Sequence, residues 1–238
     1  MGGAGHVVCM GMVIVSSLQM FVYDDFMRFP AWQKSIVHGA TMVGMALGAL
    51  VSMRLTRRFD KKGAVLIGGA ISIAGNVLLA ALFLTGIVKP DATLALGGVT
   101  LPLGLILFVI FHAAYWCGNG IMLPVSTAMM ADVSEARRLE SGESRVGGYS
   151  SVFSLAMRMA ISFSLIVAGW CLSGIGYQVP KDGKTMTQTP EAVWNLGLVT
   201  FVIGAVICLL SLLAIRRYPL TRGSLERLRK EWLHSAAR

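Results

Sequence analysis

Charged residues are scarce in this 238-residue chain, 14% of the total, against about 25% in ordinary soluble domains. So few ions do not furnish a water-facing surface, which excludes a soluble globular protein. Acids are the scarcest, twelve in all, and each falls in a loop or at the end of an apolar run. The four cysteines, Cys9, Cys117, Cys171 and Cys208, lie in four different apolar runs with no metal-type spacing. They read as small core hydrophobes and supply neither a disulfide framework nor a zinc site. There is no nucleophile–base constellation, metal motif or phosphate-binding glycine loop, so the chain does not read as an enzyme.

What the chain has in abundance is hydrocarbon. Hydrophobic residues make up 55% of it, and the mean hydropathy is +0.68. Six apolar runs, roughly 5–23, 35–55, 64–88, 97–130, 148–176 and 193–215, reach about the 20 residues needed to cross a bilayer or exceed them. Lipid tolerates only helices and closed barrels, and these runs are too long for barrel strands. The expectation is an all-α membrane protein of six transmembrane helices, spanning residues 1–216, with a tail at 217–238. The first run has no basic residue ahead of it and no small-x-small cleavage site, so it reads as a span and not as a signal peptide.

The net charge of +9 is a topology signal and implies no nucleic-acid partner. Six spans put both termini on one side. That side holds Arg54, Arg57, Arg58, Lys61 and Lys62, then Arg137, Arg138 and Arg145, then Arg216, Arg217, Arg222, Arg227, Arg229, Lys230 and Arg238. These fifteen cations face only five on the other side: Arg28, Lys34, Lys89, Lys181 and Lys184. The positive-inside rule places both termini in the cytoplasm of a multi-pass cell-membrane protein. In the tail, Leu225, Leu228 and Trp232 share one helical face, and Glu226–Lys230 is a favourable i,i+4 pair. The tail is therefore either an amphipathic helix on the inner membrane surface or a solvated extension.

One cation breaks the pattern. Arg158 sits inside "SVFSLAMRMAISFSLIVAGW", residues 151–170, and lies 13 residues beyond Arg145, about 19 Å along a helix. Ser151, Ser154, Arg158 and Ser162 form one polar stripe, which faces a cavity or a partner helix and not lipid. An unpaired buried ion costs several kcal/mol, yet no acid lies at mid-depth. Asp24 and Asp25 come nearest, provided the first helix continues past Tyr23. The fourth run holds "YWCGNGIMLP", where Gly118, Gly120 and Pro124 weaken a helix. Tyr115, Trp116 and Asn119 cluster there, either as an aromatic-and-amide site for a sugar in a broken helix or as a packing kink. His112, one turn earlier, reads as a core histidine.

The stretch "MMADVSEARRLESGESRVGGYSSVFSLAMRMAISFSLIVAGWCLSGIGY" resembles the glycoside–pentoside–hexuronide:cation symporters, the melibiose-permease-like branch of the major facilitator superfamily. Asp132, Glu135 and Gly142 match the family's acids and glycine, Arg158 falls on an intramembrane lysine, and Gly176–Tyr177 match its terminal pair. Ala136 replaces a Tyr, and Arg145 comes one place later than the family's Arg, where Ser144 stands. "LTRRFDKKGAVL" and "RRYPLTRGSLERLRKEW" resemble a basic cytoplasmic loop and the C-terminal exit of the same family.

The resemblance covers nearly all of this chain but only the second six-helix half of a twelve-helix transporter. It implies the C-terminal half, or a truncated form, of a sugar or glycoside symporter coupled to H⁺ or Na⁺, with no other cofactor. Its partners would be the lipid bilayer and a missing N-terminal half or second subunit, whose acids would balance Arg158. Arg158, Tyr115, Trp116, Asn119, Ser154 and Ser162 would bind substrate, while Asp132, Glu135, Gly142 and Arg145 would gate the cytoplasmic side. The alternative is a non-transporting six-helix protein that binds partners or acts as a scaffold.

Overall fold

A computed structural model of the chain describes residues 3–96, 99–141, 146–178, 187–216 and 222–236. Helix α1 (Gly3–Phe21) continues through a π-helical turn, Val22–Phe26, so it does run past Tyr23. Helix α2 (Ala31–Leu79) ends in a second π turn, Ala80–Leu84. Helices α3 (Leu103–Ser141) and α4 (Val146–Gly174) follow. Helix α5 (Pro190–Leu198) passes through a third π turn, Val199–Ile203, into α6 (Gly204–Arg216). The tail carries α7 (Arg222–Ala236).

Among the described residues, four segments are long and apolar enough to cross a membrane: Ala31–Leu84, Leu103–Leu139, Ser150–Gly174 and Pro190–Leu213. The first is 54 residues, about 80 Å if straight, far more than a hydrocarbon core of about 30 Å. It folds back at Asp60, whose φ of 62° and ψ of 171° are not helical. Its two limbs are two spans, and with α1 the total is six. The fourth apolar run starts differently from expectation. Val99–Leu101 is a strand paired antiparallel with Leu94–Leu96, and α3 begins only after Pro102.

Contacts along α3 prove the reversal. Gly44 abuts Ala113 and Gly48 abuts Cys117, so the first limb climbs with α3. In the second limb Gly68 abuts Gly118 and Gly75 abuts Phe111, which is the opposite sense. Helix α3 is thus held between two antiparallel limbs, backbone against backbone, and small residues at each crossing permit it.

This corrects the expectation of a weakened helix at residues 118–124. Helix α3 is continuous, with Pro124 inside it. A Cβ on Gly118 would collide with the Gly68 carbonyl and the Ser72 hydroxyl, and one on Gly120 with the Met45 carbonyl. These glycines serve close packing.

Two cores cap the bundle. Near the α1–α2 turn, Phe108 is fully buried and meets Tyr23, Phe29, Phe83 and Phe201 at centroid distances of 5.8, 5.4, 5.9 and 6.3 Å. These edge-on contacts are each worth about 0.5–1.5 kcal/mol beyond area burial. Towards the opposite end, Val65, Met122, Val125, Met129, Cys208 and Ile215 pack together. Helix α4 stands apart. Only 17% of its span is buried, against 56% for α3, and its contact with α1 runs through Ala168, Ile14 and Leu18.

Adding a methyl at Gly48 drives a Cβ into the Cys117 carbonyl, whereas one at Gly39 meets nothing. Gly48→Ala is expected to cost about 1–3 kcal/mol by overpacking, whereas Gly39→Ala, at an open helical site, is expected to cost nothing and to gain up to about 0.5–1 kcal/mol. Thermal melts in detergent check this, and equal melting temperatures would refute the packing account.

Candidate functional site

Helix α4 contains no acid, and its composition lets it form a full span whose two faces differ. Ala160, Ser164 and Ala168 are buried, with the Ser164 hydroxyl donating 2.6 Å to the Ala160 carbonyl. The opposite face is bare. Ser151, Ser154, Arg158 and Ser162 are all exposed, flanked by Leu155 and Met159. Among the described residues Arg158 makes no hydrogen bond or ion pair.

The acids nearest to serving it are committed elsewhere. Asp24 pairs with Lys34. Asp25 accepts from the Tyr177 hydroxyl at 2.5 Å. Burial first, then the bond to Asp25 and the charges of Asp25 and Asp24, raise the Tyr177 phenol above its usual range, so it remains a donor. At the other end Lys61 Nζ sits 2.6 Å from both carboxylate oxygens of Asp132 and donates to the Ala128 carbonyl at 3.3 Å. Glu135 takes two bonds from Arg229, 2.9 and 3.0 Å, which fasten α7 to α3. The two acids expected to gate the cytoplasmic side therefore bind other elements of this same chain. Gly142 and Arg145 lie outside the described residues.

Tyr115, Trp116 and Asn119 have different surroundings from the stripe. They are 2%, 8% and 3% exposed, and Tyr115 and Trp116 pack with Val15, Met12 and Met45. Asn119 donates to the Tyr115 carbonyl at 2.9 Å and to Ser72 Oγ at 3.3 Å, while Ser72 donates to the same carbonyl at 2.8 Å. Trp116 Nε1 donates to His112 Nε2 at 3.2 Å, and the Tyr23 hydroxyl lies 2.8 Å from that nitrogen. The indole can only donate, so His112 carries its proton on Nδ1, which is buried and has no partner among the described residues. The expected core histidine is buried but only half satisfied.

The sequence reading missed Ser72, the second-limb hydroxyl that ties α2 to α3. The signal was present in Gly68, Ser72 and Asn76, spaced by four on one helical face, the small-residue pattern of a membrane helix contact.

The sequence profile of a family described as MFS/sugar transport protein matches residues 3–222. An uncharacterized 29.9 kDa protein in the crtE 3′ region of Pseudescherichia vulneris is 25% identical over 189 residues, 79% of this chain and 61% of that protein. The uncharacterized symporter YjmB of Bacillus subtilis (strain 168) is 23% identical over 185 residues, 78% of this chain and 34% of that one. The chain thus spans less than two thirds of either relative. No solved structure matches it.

The two charged pairs at the α3 end differ in burial. Side chains of Lys61 and Asp132 are 26% and 18% exposed, those of Arg229 and Glu135 53% and 27%. Asp132→Ala is expected to cost about 1.5–3 kcal/mol, since it strands a sheltered ammonium. Glu135→Ala breaks an exposed pair worth about 0.2–1 kcal/mol. Denaturation in detergent ranks the two, and the reverse order would overturn the assignment.

Proposed function

Because the chain belongs to the MFS/sugar transport protein family, we propose that it is the C-terminal half, or a truncated form, of a secondary active transporter that moves a sugar or glycoside by alternating access in symport with H⁺ or Na⁺. The observation that carries this reading is the bare face of α4, with an unpaired guanidinium in a span only 17% buried. An arginine at the bilayer centre costs at least ~2.5 kcal/mol, so a face of this kind implies a companion surface that supplies acceptors. That the symporter relative is matched over only 34% of its length leaves room for a companion at least as large as the matched stretch. Two repeats rocking about a site at their interface is the architecture such a face suits.

In this proposal Arg158 is the central contact. Its five N–H donors address sugar hydroxyls or a carboxylate, and it keeps its proton at any physiological pH, so a coupling proton travels on another group. Ser154 and Ser162 lie one turn to either side, about 6 Å along the axis, and add donor–acceptor hydroxyls. Tyr115, Trp116 and Asn119 act one layer back, keeping α3 in place against α2.

Arg158→Ala is expected to abolish sugar uptake in vesicles carrying both halves while the protein still inserts. Arg158→Lys is expected to keep part of it, because a cation remains at that depth. Wild-type uptake by the alanine variant would sink the proposal. Orientation is tested separately. The Lys61–Asp132 and Arg229–Glu135 pairs share one end with the basic loops, so reporters after Arg238 or between Arg58 and Asp60 are expected to read cytoplasmic. A reporter between Lys181 and Lys184 is expected to read external; an external C-terminus would overturn the topology.

A further inference from the structure

At the end of the bundle opposite the Lys61–Asp132 pair lies a cavity of about 470 Å³. It is separate from the α4 face: no residue of α4 lines it. The α1–α2 turn contributes Asp25, Arg28 and Gln33, the turn before the β-hairpin contributes Asp91 and Thr93, and α5 contributes Val193. Its size falls within the roughly 300–1,000 Å³ typical of small-molecule sites.

Apolar residues make up more than half of the lining, and the polar side chains set among them are largely uncommitted. Among the described residues, the side chains of Arg28, Gln33, Asp91 and Thr93 have no hydrogen-bond or ion-pair partner. Asp25 uses Oδ2 for Tyr177, and its Oδ1 has no partner among the described residues. Arg28 adopts a φ of 53°, in a left-handed region uncommon for a residue of its bulk, and such outliers collect at binding sites. All three π turns lie in elements that converge on this end. Phe26 meets Phe201 edge-on at 5.9 Å, and Trp194 donates to the Leu84 carbonyl at 3.3 Å.

The signs of the charges decide the ligand class. Two carboxylates repel an anion, and the free guanidinium disfavours a bare cation. A neutral ligand rich in hydroxyls satisfies both: adjacent hydroxyls donate to Asp25 and Asp91, and others accept from Arg28 and Gln33. We propose that this cavity is a saccharide-binding site at the mouth of the bundle, where a neutral sugar is captured before it reaches the Arg158 face. The choice of sugar as ligand rests on the proposed transport function, whereas the site's location and polarity do not.

The test is equilibrium binding to the full chain in detergent, with neutral pentoses, hexoses and disaccharides as probes and NaCl and CaCl₂ as controls. Trp32 and Trp194, 57% and 47% exposed, directly adjoin lining residues Gln33 and Val193 and report by fluorescence, with calorimetry as the second readout. At least one saccharide is expected to bind saturably. Arg28→Gln and Asp91→Asn, each removing one charge-assisted contact, are expected to weaken it about tenfold. Arg229→Gln, which alters only the exposed pair with Glu135 at the opposite end of the bundle, is expected to leave this affinity unchanged. Unchanged melting temperatures establish that each variant folds, and should one not fold the other carries the test. No saturable binding, binding insensitive to Arg28 and Asp91, binding lost in Arg229→Gln, or the same signal from NaCl or CaCl₂ alone would each overturn the proposal. Failure of the transport reading is distinguishable: it leaves Arg28-sensitive binding intact without uptake, whereas failure of this site leaves Arg158-dependent uptake without that binding.

Discussion

Backbone contact between α3 and both limbs of α2 is possible only because Gly44, Gly48, Gly68 and Gly75 carry no side chain where the neighbouring backbone passes. In lipid there is no hydrophobic force between helices, so association relies on close packing and on polar contacts. Carbonyl oxygens lie where the glycine Cβ atoms would be, close enough for Cα–H···O contacts worth about 0.5–1 kcal/mol each. Once the three spans are locked, the Ser72–Asn119–Tyr115 bonds fall into place at their centre, and Phe108 is enclosed by its aromatic neighbours. The π turns fit the same logic, since each lies where a helix adjusts to that aromatic core.

The turn between the limbs depends on the same packing. Asp60 holds a backbone conformation that costs about 1–3 kcal/mol. Its carboxylate accepts from the Lys61 N–H at 2.7 Å, the local bond that makes Asp better suited than most residues to positive φ. Lys61 then reaches across to Asp132 on α3. Strain at the apex and the sheltered ion pair beside it are thus consecutive residues, and the pair offsets the strain by tying the turn to the helix it straddles.

How much of this was legible depended on whether a property resides in one segment or in a pairing. Six spans were readable because apolar length is local. The serine–arginine stripe was readable because helical periodicity is local too, and all four of its members emerge on one exposed face. Gly118 and Gly120 were ambiguous. A glycine in a helix signals either a weak point or a close neighbour, and only the neighbour, Gly68 or Met45, decides. Tyr115, Trp116 and Asn119 looked like a cluster open to a ligand because aromatic and amide groups are common to binding sites and to buried networks. Lys61 with Asp132, and Glu135 with Arg229, are pairings across 71 and 94 positions. Shared position at one membrane end narrows the choice for them but does not select a partner.

The same distinction explains why Arg158 stands out. Asp24, Asp25, Asp132 and Glu135 each have a partner in this chain, so these four acids are engaged without Arg158. A cation left over at mid-span is not a packing residue, since packing here is done by glycine, serine and aromatic rings. Nor is it an anchor, because snorkelling over about 19 Å exceeds the reach of its side chain. It sits on the least buried of the four candidate spans, and locally sparse contacts mark elements whose position is set last and changed most readily. In the proposed transporter, a fixed positive charge on the least buried candidate span, opposite the face that grips α1, is suited to meeting a surface that comes and goes. A static core would have buried that face or neutralised it.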